Sequence, residues 1–160
     1  MAVVKPNKKV PAFNAESTDG NFRLSDCKGK NLVVYFYPKD STPGCTLEGQ
    51  DFRDNIAKFR RNKTIVVGVS RDSLASHEKF KTKQAFPFEL LSDQDETLCT
   101  LFDVIKEKNM YGKKVMGIER STFLIDTDGK LRREWRKVKV DGHVEDVLEA
   151  VRELNRASKS

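Results

Sequence analysis

Two apolar runs of strand length govern what this chain can become. Asn31–Tyr37 (NLVVYFY) and Thr64–Ser70 (TIVVGVS) are dense in β-branched and aromatic residues and carry no charge. Neither alternates apolar with polar residues, so each reads as a strand buried on both faces, in a sheet that other elements must cover. Pro38 ends the first run, and a polar loop, 39–44, leads into a helical segment from about Cys45 to Arg61. There Phe52, Ile56 and Phe59 fall four and three apart, as one buried helix face requires.

The remaining segments alternate in the same way. Residues 12–24 hold a Thr18-Asp19-Gly20-Asn21 turn signal and read as a short hairpin. Ser73–Lys83 is a helix with Ser73 as N-cap, Phe88–Leu91 a short strand, and Asp95–Phe102 a helix with Leu98, Leu101 and Phe102 turned inward. Ser121–Ile125 and Lys130–Trp135 flank Asp126-Thr127-Asp128-Gly129, a hairpin turn in which Gly supplies positive φ. Gly142–Asn155 is an amphipathic helix through Val144, Val147, Leu148, Val151 and Leu154, and 157–160 reads as frayed. The sum is an α/β sandwich with a central mixed β-sheet flanked by helices, similar to the thioredoxin-like fold with an N-terminal β-hairpin extension. At 160 residues without a linker or repeat, one domain is expected over 1–160, with its core over about 9–155.

Charge and cysteine usage narrow the function classes. The net charge is +6, and between residues 106 and 139 eleven Lys or Arg face five acids, so this stretch carries all of it. A basic field can hold nucleic acid or an acidic partner. No aromatic-plus-basic reader motif accompanies it, so a solvated face is the favoured reading and nucleic acid is not an expected partner. No apolar run approaches membrane-spanning length and no apolar segment follows the basic N-terminus, so neither a membrane nor secretion is expected. Cys27, Cys45 and Cys99 form no even framework and no Cys-x-x-Cys pair, which suits a reducing, cytoplasmic setting and thiol chemistry.

The chemistry is sought after the first buried strand, because open α/β sheets bind ligands beyond the carboxyl ends of their strands. That loop reads Pro38-Lys39-Asp40-Ser41-Thr42-Pro43-Gly44-Cys45-Thr46-Leu47-Glu48. Cys45 at the first turn of a helix meets free N–H groups and the positive end of the macrodipole, which favour the nucleophilic thiolate. A core cysteine falls more naturally within a strand than beside Pro-Gly in a polar loop. Gly44–Gly49 has the glycine spacing of a phosphate-binding loop, but Gln50-Asp51 stands where Lys-Ser/Thr is needed. Thr42 occupies the first-cysteine position of a Cys-x-x-Cys motif, so dithiol exchange within that motif is excluded.

These residues resemble the peroxiredoxin active-site motif P-x-x-x-T-x-x-C, here Pro38, Thr42 and Cys45, with Glu48 at the usual acidic position. Gly117–Asp126 (GIERSTFLID) is similar to the segment that carries the family's catalytic arginine, here Arg120. The likeness is nearest to the bacterioferritin-comigratory, or peroxiredoxin Q, subfamily through Pro-Gly-Cys-Thr and Leu91-Ser92-Asp93. It implies a thiol-dependent peroxidase reducing hydrogen peroxide and organic hydroperoxides through a Cys45 sulfenic acid. Arg120 would hold the thiolate, Thr42 orient the peroxide, Pro38 shield the pocket and Glu48 position Arg120. The substrate would lie against Thr42, Gly44, Cys45 and Arg120. The residues alone do not choose Arg120 over Arg53 or Lys39.

The chain departs from that subfamily in its second cysteine. Gln50 stands five residues after Cys45, where many members have the resolving cysteine, and Ser73–Lys83, where others carry it, has none. A one-cysteine cycle is expected, regenerated by an external thiol such as thioredoxin, glutaredoxin or glutathione. Cys99 reads as packed and Cys27 as more exposed. His77 and His143 read as helix or cap residues among polar neighbours, at no ligand spacing, so no metal or other cofactor is implied. A monomer is expected. The alternative is a non-catalytic chaperone-like or nucleic-acid-binding module using the basic 106–139 stretch.

Overall fold

In the computed structural model, which describes residues 4–158, the two apolar runs lie side by side at the centre of a seven-stranded sheet. They form β3 (Asn31–Phe36) and β4 (Thr64–Ser70), parallel and in register from Asn31↔Thr64 to Phe36↔Val69. Every residue of β3 is buried. β5 (Glu89–Ser92) continues the parallel set beside β4. On the other side of β3, β8 (Ser121–Ile125) runs antiparallel and is followed by β9 (Leu131–Trp135). The hairpin β1 (Asn14–Ser17) and β2 (Gly20–Arg23) adds through β1 to β5, giving the order β2-β1-β5-β4-β3-β8-β9.

Alternation along the central strands divides the core in two. Val33, Tyr35 and Tyr37 point to one face with Cys45, while Leu32, Val34 and Phe36 point to the other. The first face is covered by α1 (Pro43–Arg61), α2 (Leu74–Gln84) and α4 (His143–Ser158), through Phe52, Phe59, Phe80, Val144 and Val147. Because β3, β4 and β5 advance in one direction, right-handed crossovers place α1 and α2 on the same side. The second face is closed by α3 (Thr97–Leu101) with Phe102, and by Val4 and Val10 from the N-terminal segment. The core therefore reaches back beyond the expected start near Lys9.

Several boundaries and one element differ from the sequence reading. Helix α1 starts at Pro43 rather than Cys45, since proline is well suited to N1, where its missing N–H has no helical partner. α3 is only five residues long: Glu96 before it has φ 62°, and the buried Asp93 carboxylate accepts from the Leu98 and Cys99 amides at 2.9 and 2.7 Å. α4 is helical through Ser158, so the expected fraying at Ala157 and Ser158 is not seen, and 159–160 lie outside the described residues. The hairpin β6 (Ile105–Met110) and β7 (Lys113–Ile118) was not anticipated. It turns at Tyr111 and Gly112, both at positive φ, and forms a separate two-stranded sheet. The basic stretch is thus spread over this hairpin and the edge strand β9, whose exposed Arg132 and Arg133 suit a strand protected from further pairing.

Gly49 decides how closely α1 packs. A Cβ there would stand 2.3 Å from Phe86 Cζ, and Phe86 is itself held between Phe80 and Phe88, with ring centroids 5.0 Å away on each side. Gly49→Ala gains about 1 kcal/mol of helix propensity but overpacks a core that cannot yield, which costs about 1–3 kcal/mol. The expected result is net destabilisation, read as a lower urea midpoint at unchanged slope.

Candidate active site

The pairing of β3 with β8 builds the site. Phe36 at the end of β3 lies opposite Ser121 at the start of β8, so Arg120 arrives beside the loop that follows β3. That loop is pinned from within. The buried Asp40 carboxylate accepts from the Tyr37 hydroxyl at 2.6 Å and the Ser76 hydroxyl at 2.8 Å, and lies 2.7 Å from His77 Nδ1. Thr42 is the N-cap of α1, with extended φ and ψ, and its hydroxyl donates to the Lys39 carbonyl at 2.8 Å rather than capping the helix.

Cys45 consequently sits in the first turn of α1, 2% exposed. The Thr46 N–H closes the first helical bond, onto the Thr42 carbonyl at 2.9 Å, so the Gly44 and Cys45 amides precede the intrahelical ladder. Arg120 Nη2 donates to Cys45 Sγ at 3.3 Å, and Arg120 Nη1 donates to Glu48 Oε1 at 2.6 Å. Gly44 leaves room for the guanidinium, which stands 3.2 Å from where a Cβ would be. Burial works against the charge on Arg120, but Glu48 and Cys45 outweigh it and strengthen its basicity.

Glu48 is fully buried and only half satisfied: among the described residues Oε2 finds no hydrogen-bond partner. Burial lifts its carboxyl to about 7, against the downward pull of Arg120's charge and hydrogen bond. The Tyr35 hydroxyl is likewise buried, with no hydrogen-bond partner among the described residues.

The structure thus unites Cys45, Gly44, Glu48 and Arg120. Thr42 stands at the rim, half exposed, and Pro38 is half-buried at the end of β3. Neither makes a hydrogen bond to the sulfur among the described residues. Arg53 points elsewhere, to Asp54 and the Gln84 carbonyl.

Cys27 corrects the sequence reading, and the histidines hold the helix positions and polar neighbours expected of them. Cys27 is 5% exposed rather than open, because its one-turn 3-10 helix folds it under the second face of the sheet. Both histidines are buried. His77 bridges Asp40 and the Leu91 carbonyl, and His143, pushed down to about 4 by burial, meets the Thr122 hydroxyl at 2.7 Å. Asp40, Asp72 and His77 bring their polar atoms within 4.8 Å of one another. Those atoms are engaged with the protein's own groups, Asp72 Oδ2 accepting from Ser70 Oγ at 2.5 Å and the Asp40 amide at 2.9 Å, so the cluster braces the loop. Asp40 looked like an ordinary loop residue, and only its sequence distance of 37 from His77 hid the link.

Comparison with known proteins places this geometry. Residues 6–134 match the AhpC/TSA family. The chain belongs to that family, and it is a thiol-dependent peroxidase. It is 59% identical over 124 residues to the peroxiredoxin Bcp of Xanthomonas campestris, covering 78% of each chain. The Bacillus subtilis peroxiredoxin Bcp is 48% identical over 153 residues, 95% of this chain and 98% of that one. The solved bacterioferritin comigratory protein of Xanthomonas campestris, a structure addressing its alkyl peroxide reduction activity, superposes with a TM-score of 0.87. It is 49% identical and covers 97% of this chain and 99% of that one. A non-catalytic module on the basic stretch is not favoured by these likenesses.

The state of Glu48 makes stability depend on pH. Its folded carboxyl, near 7, lies above the ordinary 4.5, so the folded protein binds its proton more tightly than the unfolded chain does. Stability from this group is full below about 4.5 and is lost as pH rises to about 7, by up to roughly 3 kcal/mol. Glu48→Gln carries no such proton. Denaturation of the two proteins across pH 4–8 should show the variant gaining steadily on the parent over that window.

Proposed function

We propose that Cys45 is the peroxidatic nucleophile of a one-cysteine cycle that reduces hydrogen peroxide and alkyl hydroperoxides at the expense of an external thiol. The observation carrying this reading is the Cys45 sulfur at 3.3 Å from a half-buried, Glu48-held arginine, at a helix N-terminus, with the other two cysteines across the sheet. The thiolate attacks one peroxide oxygen as the O–O bond breaks. An S–O bond forms, the second oxygen leaves as hydroxide or alkoxide and takes a proton, and sulfur is oxidised by two electrons to sulfenic acid. A thiol then displaces water from sulfur to give a mixed disulfide, and a second thiol releases Cys45.

The surrounding groups divide the work. Arg120 faces both the sulfur and the oxygens on which charge develops. The free Gly44 and Cys45 amides offer donors to the same oxygens. The Thr42 hydroxyl, its proton committed to Lys39, has lone pairs left to accept the O–H of a hydroperoxide. Pro38, without an N–H, limits water at the edge of the pocket. Glu48 touches no substrate and fixes Arg120.

No second thiol stands on the Cys45 side of the sheet among the described residues. Cys27 and Cys99 pack on the opposite face, and all three cysteines are free. The reductant is therefore an external thiol: thioredoxin, glutaredoxin or glutathione. Three unpaired cysteines suit a cytoplasmic, reducing setting, and the chain is proposed to act as a monomeric single domain.

One equivalent of hydrogen peroxide added to reduced protein tests the cycle by intact mass. A gain of one oxygen, absent from Cys45→Ser, is expected; loss of two hydrogens would mean an internal disulfide and overturn the one-cysteine cycle. Arg120→Ala should lower the rate of peroxide consumption by about 10²–10³-fold, measured by single-turnover kinetics.

A further inference from the structure

The β6–β7 hairpin carries one cation, Lys108, that the cycle above does not use. Lys108 lies across Gly117 of the facing strand, its Cδ, Cε and Nζ at 3.4, 3.6 and 3.8 Å from where a Cβ would stand. It is diagonal to Gly117, since its direct partner is Val115, and Gly117 is three residues from Arg120. With no side chain at 117, the lysine stem has room to lie across β7. The ammonium is half-buried, yet among the described residues it has no carboxylate partner. Its neighbours differ: Lys106 pairs with Asp103 at 3.1 Å and Lys114 with Glu107 at 3.7 Å. The charges it faces are Arg120, Cys45, Glu119 and Arg71. Burial and Arg120 weaken its hold on the proton, with Arg71 adding to them, while Cys45 and Glu119 act in the opposite sense.

We propose that Lys108 is a specificity-determining residue of the peroxidatic site: together with Arg120 it makes the approach to Cys45 cationic, so that anionic reactants reach the sulfur faster than neutral ones of similar shape. The proposal rests on Cys45 being the reactive nucleophile. The preference changes through the cycle. In the reduced protein the Cys45 thiolate and Glu48 offset the two cations. Oxidation to a neutral sulfenic acid removes one of those negative charges, leaving the approach most cationic when the reductant arrives. Thiolates, and thiols bearing carboxylate or sulfonate groups, are the class this favours. Lys108 acts on such reactants through its field, at no cost in covalent chemistry.

Alkylation by iodoacetate and iodoacetamide isolates that field, because both reagents need the same thiolate and only one is charged. The ratio of their rates at Cys45, followed by peptide mass at low ionic strength, cancels any change in ionisation. Lys108→Gln should lower the iodoacetate-to-iodoacetamide ratio by roughly two- to fivefold, and Lys108→Glu should lower it further. Lys108→Arg should retain it, Lys113→Gln at the hairpin tip should leave it unmoved, and 1 M salt should shrink the difference. A ratio unchanged in both Lys108→Gln and Lys108→Glu would overturn the assignment. Failure of the peroxidase reading is separable: a Cys45 that ignored hydrogen peroxide but kept a ratio dependent on residue 108 would leave Lys108's role standing.

Discussion

The buried ion pair between Arg120 and Glu48 is the interaction on which the site depends. It joins the start of β8 to the second turn of α1, residues 72 apart in sequence, and so fixes a guanidinium against the Cys45 sulfur. Such pairs contribute little net stability, because taking two charges out of water offsets their attraction. Removing one partner is different, since it strands the other in a medium that cannot solvate it. Glu48 already shows the strain of this arrangement, with one carboxylate oxygen unpaired and its proton held to about 7. The structure tolerates a costly carboxylate because an arginine could not otherwise be held at one distance and one angle from a sulfur.

Everything that delivers those two residues follows from the central strands, and much of that was legible in the sequence. The charge-free runs at Asn31 and Thr64 announced buried strands, and the 3.6-residue spacing of Phe52 and Phe59 announced the helix between them. The Asp-Thr-Asp-Gly turn marked the hairpin that brings β8 and β9 together, and there the Asp126 carboxylate accepts from the Asp128 and Lys130 amides as a turn of that kind requires. The place of Cys45 in the first turn of a helix after the first buried strand was legible too. Arg120 was not legible from spacing. Its place depends on which strand pairs with β3, a fact carried by no local pattern, and only the family likeness of Gly117–Asp126 selected it.

The β6–β7 hairpin and the Asp40–His77 contact stayed hidden for a related reason. Lys106, Glu107, Lys108 and Asn109 have low strand propensity and read as a solvated charge run. They form a strand because a two-residue turn at Tyr111 and Gly112 closes them onto Lys113–Ile118, with Ile105 and Ile118 anchoring the base as partners. Asp40 reads as a loop acid, yet it is buried and ties Tyr37, at the end of β3, to Ser76 and His77 of α2. Polar residues whose role is to brace a loop look like solvent-facing residues until their partners are known. That bracing matters here because the loop sets the first turn of α1, and with it the direction in which Cys45 points.

The proposed cycle uses one cysteine of the three the chain carries. The sheet provides the selection. Cys27 and Cys99 lie buried on the face opposite Cys45. Burial, reinforced by Asp26, pushes the Cys27 thiol up to about 11. Burial and the neighbouring Asp93 raise Cys99 still further. Both remain protonated at neutral pH and are poor nucleophiles. Cys45 is as buried as they are, so exposure does not distinguish it. What differs is a guanidinium: Arg120 donates to the Cys45 sulfur at 3.3 Å. In the proposed cycle reactivity follows which face of the sheet a thiol occupies, and the right-handed crossover that lays α1 on one face puts Cys45 there.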